Sequence, residues 1–213
     1  MSYNYLFKLI VVGKESTGKT CLVDAWCGRA FRMAFESTVG VDFDAKRVLI
    51  DGDVIKNHIW DITGQQKFAT IVSAYYGKCA GAFVVFDVTN KQSFFNIDYW
   101  IQEIKAKNDR MVPIIIVGTK TDKPNRIVST EEATLFAEDR GLQYIETSAK
   151  KGENIEESFQ LLINEIYNNI DEDSEIKTFK HGIKRGALGK SNTLRYRNCE
   201  PCEEDWRCCC LVS

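Results

Sequence analysis

The sequence lacks a large net charge, a long apolar run and an internal repeat. Its formal net charge is −2 over 213 residues, which argues against a nucleic-acid partner held by bulk positive charge. No stretch reaches the roughly 20 apolar residues that a membrane-spanning helix needs. The first five residues contain no apolar segment of the kind found in secretory signals. These absences favour a reducing, cytosolic compartment, where disulfides are rare.

Charge and cysteine are distributed unevenly along the chain. From residue 177 onward there are eight basic and four acidic residues, against 20 basic and 26 acidic before it. Five of the eight cysteines lie in the last fifteen residues. Because the apolar periodicity ends near residue 170, we predict a folded domain over residues 1–170 and a flexible tail over residues 171–213. The basic tail is either a solvated linker or is attracted to an acidic surface such as anionic lipid.

Apolar runs typical of strands alternate with segments of helical period. The predicted strands are residues 6–12, 41–50, 54–60, 82–86, 114–117 and 142–145, and the predicted helices are residues 19–29, 67–76, 92–107, 130–140 and 154–169. Asp51-Gly52 predicts a tight turn that makes the second and third strands antiparallel. The pattern predicts an α/β doubly wound domain, with six strands that are mostly parallel, one antiparallel strand, and helices on both faces.

A phosphate-binding loop follows the first predicted strand. Residues 13–20 read Gly-Lys-Glu-Ser-Thr-Gly-Lys-Thr, and glycines at Gly13 and Gly18 let backbone N–H groups surround phosphate oxygens. The next helix directs its N-terminal partial positive charge to the same place. Lys19 is expected to reach the β and γ phosphates, and Thr20 is expected to bind Mg2+. The expected cofactor-binding residues also include Ser16 and Thr17 in the loop and Cys21 at the start of the helix.

Two further segments select the base. Thr119, Lys120 and Asp122 follow a buried strand, and a carboxylate accepts hydrogen bonds from both N1–H and the 2-amino group of guanine. Adenine would leave Asp122 unpaired, which argues against an ATP-using kinase. The stem of Lys120 is expected to pack along the base. The other side of the base is expected to be closed by Ser148, Ala149 and Lys150.

With these motifs the chain resembles the Ras superfamily of small GTPases over about residues 5–170, and the resemblance implies a P-loop G domain. It implies that Phe31 packs on guanine and that Thr38 completes Mg2+ coordination only when a γ-phosphate is present. Asp61 would hold Mg2+ through water, Gly64 would donate its N–H to the γ-phosphate, and Gln65 would orient the attacking water. The expected catalytic residues are Lys19, Gly64 and Gln65. Release of the γ-phosphate would free two loops.

Within the superfamily the resemblance is to Rab proteins, through Val39-Gly40-Val41-Asp42-Phe43 and several later segments. It implies a GTP/GDP-switched regulator of vesicle or membrane traffic with a slow intrinsic rate of hydrolysis. It also implies an effector surface at Phe43, Trp60 and Tyr75. Expected partners are an exchange factor, a GTPase-activating protein, a prenyl chaperone and effectors, and a monomer is expected.

The last four residues, Cys210-Leu211-Val212-Ser213, fit a prenylation pattern. Adjacent Cys209 and Cys210 match the Rab habit of carrying two geranylgeranyl chains, and two chains anchor far better than one. The expected location is the cytoplasmic face of an intracellular membrane, with a soluble cytosolic pool. The alternatives are that the cysteines are incidental or that Cys199 and Cys202 belong to a metal site, but no second pair or histidine at suitable spacing completes a ligand set.

Four residues depart from the family pattern, and one of them, Gln66, replaces the usual glutamate. Glu15 stands where a small residue is usual, near the expected γ-phosphate, and Thr63 replaces the usual alanine. Thr119 replaces the usual asparagine and is expected to lose one amide contact. Two hypotheses therefore stay open, a hydrolysing switch supported by Gln65, and a GTP-binding module with impaired hydrolysis that recruits effectors.

Overall fold

The computed structural model describes residues 2–32, 38, 40–65, 68–170 and 182–186. Seven strands lie within these residues: β1 (Tyr5–Val12), β2 (Val41–Ile50), β3 (Asp53–Ile62), β4 (Gly81–Asp87), β5 (Ile114–Thr119), β6 (Gln143–Glu146) and β7 (Ile183–Arg185). The helices are α1 (Lys19–Trp26), α2 (Ala69–Val72), α3 (Lys91–Phe95), α4 (Ile97–Ala106), α5 (Thr130–Glu138) and α6 (Ile155–Asn168). A turn of 3-10 helix, Ser73–Tyr75, follows α2.

The strands form one sheet in the order β2-β3-β1-β4-β5-β6, with β7 added to β1. Strands β3, β1, β4, β5 and β6 are parallel, and β2 pairs antiparallel with β3 from Val41↔Ile62 to Ile50↔Asp53. The predicted α/β class, the six predicted strands and the antiparallel hairpin are confirmed. Because parallel strands end at one edge, the loops after β1, β3, β5 and β6 meet there.

The sequence did not predict β7, which pairs antiparallel with β1 inside the segment expected to be a flexible tail. A strand of three residues, Ile-Lys-Arg, is too short to show alternation. Its single apolar side chain, Ile183, is buried at 3% exposure. Tertiary packing therefore determines this strand, and it adds a second antiparallel pair to the sheet.

Two apolar clusters pack on opposite faces of the sheet, as expected for helices on both sides. One cluster joins α1 and α6, where Trp26 stacks on Phe159 with ring centroids 3.9 Å apart. The other joins α3 and α5, where the Phe94 and Phe136 rings lie 4.9 Å apart.

Several predicted helices differ from those observed. The first ends at Trp26, the second is reduced to α2 and the 3-10 turn, and the third is divided at Asn96 into α3 and α4. The Asn90 side chain accepts a hydrogen bond from the Ser93 N–H and caps α3. Across the described part of the chain, no helix combines the length and the apolar character needed to span a bilayer.

Candidate functional site

The loop between β1 and α1 is built around a close backbone approach and a buried lysine. A Cβ on Gly13, at φ 145°, would lie 2.2 Å from the Val85 carbonyl oxygen of β4, so only glycine fits. Lys19 Nζ donates to the carbonyl oxygens of Gly13 at 3.1 Å and Lys14 at 2.9 Å. The side chain therefore spans the loop and holds its curvature.

Lys19 is only 6% exposed. Burial lowers the pKa of its ammonium group to about 8, although the charges of Asp61 and Glu15 partly oppose the shift. An anion bound in the loop would add a further opposite charge and stabilise the ammonium form of this lysine.

Three oxygen-bearing side chains meet beside the loop. The Thr20 and Thr38 hydroxyl oxygens lie 2.9 Å apart, and the Thr20 hydroxyl donates to Asp61 Oδ2. Asp61 is 2% exposed, and its Oδ1 has no hydrogen-bond partner among the described residues. Burial raises the pKa of Asp61, opposed by the Thr20 hydrogen bond and by Lys19.

This set of donors suits Mg2+, a hard cation that prefers oxygen ligands and keeps several waters or phosphate oxygens. Within the described ranges, no group of three His, Cys, Asp or Glu side chains could hold a metal by itself. A cation at Thr20, Thr38 and Asp61 would therefore need oxygens from a bound ligand or from water to complete its coordination.

The segment after β3 packs directly on the phosphate loop. A Cβ on Gly64 would lie 2.3 Å from both the Glu15 nitrogen and the Gly13 oxygen, so any side chain would push the two loops apart. The Thr63 hydroxyl, in a residue 3% exposed, accepts from the Gln65 N–H at 3.3 Å. Gln65 Oε1 is buried without a partner in the described part of the chain. This leaves one carbonyl oxygen free to accept from a ligand or water.

At the other end of the site, Ser148 orients a carboxylate. The Ser148 hydroxyl, fully buried, donates to Asp122 Oδ1 at 2.7 Å. Lys120 Nζ donates to the Ser16 carbonyl at 2.6 Å and pairs with Asp87 at 2.7 Å. Burial alone would raise the pKa of Asp87, but hydrogen bonds from Lys120 and Thr89 outweigh it and keep that pKa low.

Thr119 supplies a link that a sequence reading did not anticipate. Its hydroxyl lies within hydrogen-bond distance of the carbonyl oxygens of Thr17 in the phosphate loop and Phe86 in β4. A hydroxyl has one proton, so the two carbonyls share it. Thr119 thus joins the loop between β1 and α1 to the end of β4.

These groups enclose a cavity of about 500 Å³. The predicted residues that line it are Ser16, Gly18, Lys19, Thr20, Cys21, Phe31, Thr38, Gly64, Gln65, Thr119, Lys120, Asp122, Ala149 and Lys150. Four others, Gly13, Thr17, Asp61 and Ser148, contact lining residues from behind. Leu22, Arg32, Lys123 and Thr147 also line it and were missed, since only their adjacency to the motifs distinguishes them.

Phe43, Trp60 and Tyr75 form one continuous group, here called the aromatic surface. The rings of Phe43 and Trp60, a cross-strand pair of β2 and β3, are 5.1 Å apart, and those of Trp60 and Tyr75 are 5.4 Å apart. Phe43 is 45% exposed. The tail cysteines, including Cys209 and Cys210, lie outside the described residues.

Comparison with known proteins matches residues 8–168 to the Ras family. GTP-binding protein ypt3 of Schizosaccharomyces pombe is 40% identical over 166 residues, which are 78% of each chain. Ras-related protein YPTC6 of Chlamydomonas reinhardtii is 38% identical, covering 87% of this chain and 88% of its own. Ras-related protein RABA2a of Arabidopsis thaliana is 37% identical, covering 86% and 87%. The chain belongs to the Ras family of small GTPases, as a divergent, Rab-like member.

Proposed function

We propose that this chain is a switch that binds GTP and GDP with Mg2+, hydrolyses GTP slowly and regulates vesicle or membrane traffic. The observation that carries the proposal is the Asp122–Ser148 hydrogen bond, at the opposite end of one cavity from Lys19 and Thr20. Ser148 fixes the carboxylate, whose remaining lone pairs match the N1–H and 2-amino donors of guanine. Lys19 suits phosphate at the other end.

Nucleotide titration by calorimetry tests the base assignment. We expect GDP and GTP to bind and ATP not to displace GDP. Asp122→Ala should weaken GDP binding about 100-fold or more, because two charge-assisted hydrogen bonds are lost. The matched control, Asp109→Ala on the exposed surface, should leave binding unchanged. Displacement of GDP by ATP would instead support an adenine-using enzyme.

Thr20, Thr38 and Asp61 are the residues that we propose hold Mg2+, Asp61 through water. The ion, when bound, would neutralise charge on the phosphates. Thr38 lies outside the regular elements, and we propose that it completes the coordination only when a γ-phosphate is present. The buried Asp61 Oδ1, unpaired among the described residues, supports a ligand at this point.

Gln65 is the residue that we propose positions the attacking water. Its buried Oε1 is a free acceptor with respect to the described residues, and Lys19 would stabilise charge on the phosphates. The Gly64 N–H is the proposed third contribution, as a donor to the γ-phosphate. Hydrolysis of this kind needs no covalent step on the protein. Catalysis depends on how the protein positions the reacting groups and stabilises the charge on the phosphates.

A second candidate, a GTP-binding module with impaired hydrolysis, is favoured by Glu15. This side chain lines the cavity, and its charge acts on Lys19. Single-turnover hydrolysis by the wild type, Glu15→Ser and the isosteric Glu15→Gln separates the two. If Glu15 restrains chemistry, both variants should gain about tenfold, about 1.4 kcal/mol of barrier. No gain contradicts that restraint, and undetectable hydrolysis in all three favours the second candidate.

We propose that Cys209 and Cys210 carry lipid chains that anchor the protein to the cytoplasmic face of a membrane, with a soluble pool. Intact mass after expression in a eukaryotic cell should show two isoprenoid additions, falling to one in Cys209→Ser. Cys202→Ser is the control and should keep both.

Effectors are proposed to bind the aromatic surface, while an exchange factor, an activating protein and a prenyl chaperone remain proposed partners.

A further inference from the structure

The tail segment (residues 182–186) fills a position on β1 that β4 leaves open. Strand β4 pairs with β1 only from Leu9 onward, whereas β7 pairs with the preceding residues, from Tyr5↔Arg185 to Phe7↔Ile183. The Lys8 N–H donates to the Gly182 carbonyl at 2.7 Å, and the Gly186 N–H donates to the Asn4 carbonyl at 2.7 Å. The segment thereby satisfies backbone groups that would otherwise form a bare strand edge.

Side-chain packing shows that the segment fits this position closely. Ile183 belongs to the core cluster that contains Tyr5 and Phe7. A Cβ on Gly182 would lie 2.3 Å from the Ala80 nitrogen, and a Cβ on Gly186 would lie 1.7 Å from the Tyr3 oxygen. Ile183 is buried, and the glycines on either side of the strand, Gly182 and Gly186, have no room for a side chain. Such close packing indicates a specific contact.

Lys8 connects this docked segment to the aromatic surface. Besides its N–H bond to Gly182, its carbonyl accepts from the Ala80 N–H at 2.8 Å. On its side-chain end, Nζ donates to the carbonyls of Tyr75 at 2.9 Å and Gly77 at 2.7 Å. Nζ also lies 5.8 Å from the centre of the Trp60 ring. Lys8 therefore bonds to Tyr75, Gly77 and Ala80, and Gly182 packs closely against the backbone of Cys79 and Ala80.

We propose that the edge of β1 is a docking site for the chain's own tail segment, and that docking holds residues 75–80 in place beneath the aromatic surface. Undocking removes the Gly182 contacts with Cys79 and Ala80 and the bond to the Lys8 N–H. The Tyr75 side of the aromatic surface then loosens. The proposal concerns packing and is independent of nucleotide chemistry.

Hydrogen exchange of the full chain, read by mass spectrometry or NMR, tests the proposal. In the wild type the Lys8 and Gly186 amides should be protected. Ile183→Asp puts a charge at a site 3% exposed, so these amides should exchange at least tenfold faster. The Cys79 and Ala80 amides should follow, since Cys79 N–H binds Asn108 Oδ1 at 3.3 Å and Ala80 N–H binds Lys8. Lys184→Asp, which introduces the same residue at the exposed neighbouring position, should alter none by more than twofold.

Gly182→Val is the second variant, because it dislodges the segment by steric conflict without adding charge. It should reproduce the exchange pattern of Ile183→Asp while the Ile59 and Val84 amides in the sheet centre stay protected. Unprotected Lys8 and Gly186 amides in the wild type overturn the docking. Faster exchange there with unchanged Cys79 and Ala80 overturns the link to residues 75–80. Loss of the whole fold in both variants makes β7 an integral strand, and the proposal is then wrong.

Discussion

At the scale of single residues, Lys19 places a nearly buried ammonium group in the wall of the cavity. Its two hydrogen bonds to the Gly13 and Lys14 carbonyls stabilise the charge less than bulk water would, so burial lowers its pKa to about 8. A phosphate in the cavity would stabilise the charged form. Protonation of Lys19 and nucleotide binding are therefore linked.

The affinity for GDP should be level near pH 7 and should fall as the pH rises through about 8 to 9, because free Lys19 loses its proton there. The sign follows from linkage: the complex binds more protons than the free protein in this range, so alkali favours dissociation. The slope approaches tenfold per pH unit. Calorimetry at several pH values measures it.

Lys19→Arg supplies the control, because a guanidinium stays charged throughout this range. The variant is expected to bind more weakly at every pH but to lose the part of the slope due to Lys19. Any slope that remains belongs to other groups, such as N1 of guanine. Equal slopes in both proteins would show that Lys19 is not the titrating group.

Thr119 gives a second prediction at this scale. Thr119→Val keeps the shape but removes the proton shared by the Thr17 and Phe86 carbonyls. We expect a loss of about 1–3 kcal/mol in the free energy of unfolding, since buried acceptors lose their partner. Thr121→Val is the control: its hydroxyl donates to Thr147 at 3.2 Å in a half-buried position and should cost less. Urea denaturation compares them.

At the scale of elements, the site depends on how α1 is held. Trp26 at its end stacks on Phe159 of α6 with an interplanar angle of 2°. Lys46 Nζ lies 4.6 Å from the Trp26 ring centre and donates to the Trp26 carbonyl at 2.8 Å. These contacts fix the direction in which the first turn of α1 presents its N–H groups to the phosphate loop.

Phe159→Ala should lower the free energy of unfolding by about 3–5 kcal/mol, because it leaves a cavity beneath Trp26. The control is Phe95→Ala in α3, where the side chain is 64% exposed, and its effect should stay within about 0.5 kcal/mol. Denaturant titration measures both. Similar values for the two variants would mean that the stacked pair contributes little to the core.

At the scale of the whole molecule, the cavity joins loops from four strands, so its occupant should stabilise the fold. Ligand at about 1,000 times its Kd adds about 4 kcal/mol, which raises Tm by about 10 °C in a domain of this size. Removing GDP and Mg2+ should lower Tm by that amount. GDP should restore it and ATP at the same concentration should not, as differential scanning calorimetry would show.

Sequence patterns predicted the sheet and most of the residues that line the cavity, because both depend on signals that are local in the sequence. Alternation, apolar runs and the Gly-rich loop each act over a few residues, and parallel strands then bring the loops together. The links made at a distance could not be predicted. Thr119 reaches Thr17, Lys120 reaches Asp87, and β7 reaches β1 only after folding. Spacing along the chain carries no signal for such contacts.

The approach of Gly186 to Tyr3 places the two outermost described stretches side by side. They leave the sheet at the start of β1, about 23 Å along the strand from the phosphate loop. A fluorescent protein fused before Tyr3 would therefore stand where the tail departs and crowd any surface that the tail approaches. The cellular location of such a fusion would therefore reflect a sterically hindered tail. A small epitope tag in place of the fluorescent protein would disturb the tail least.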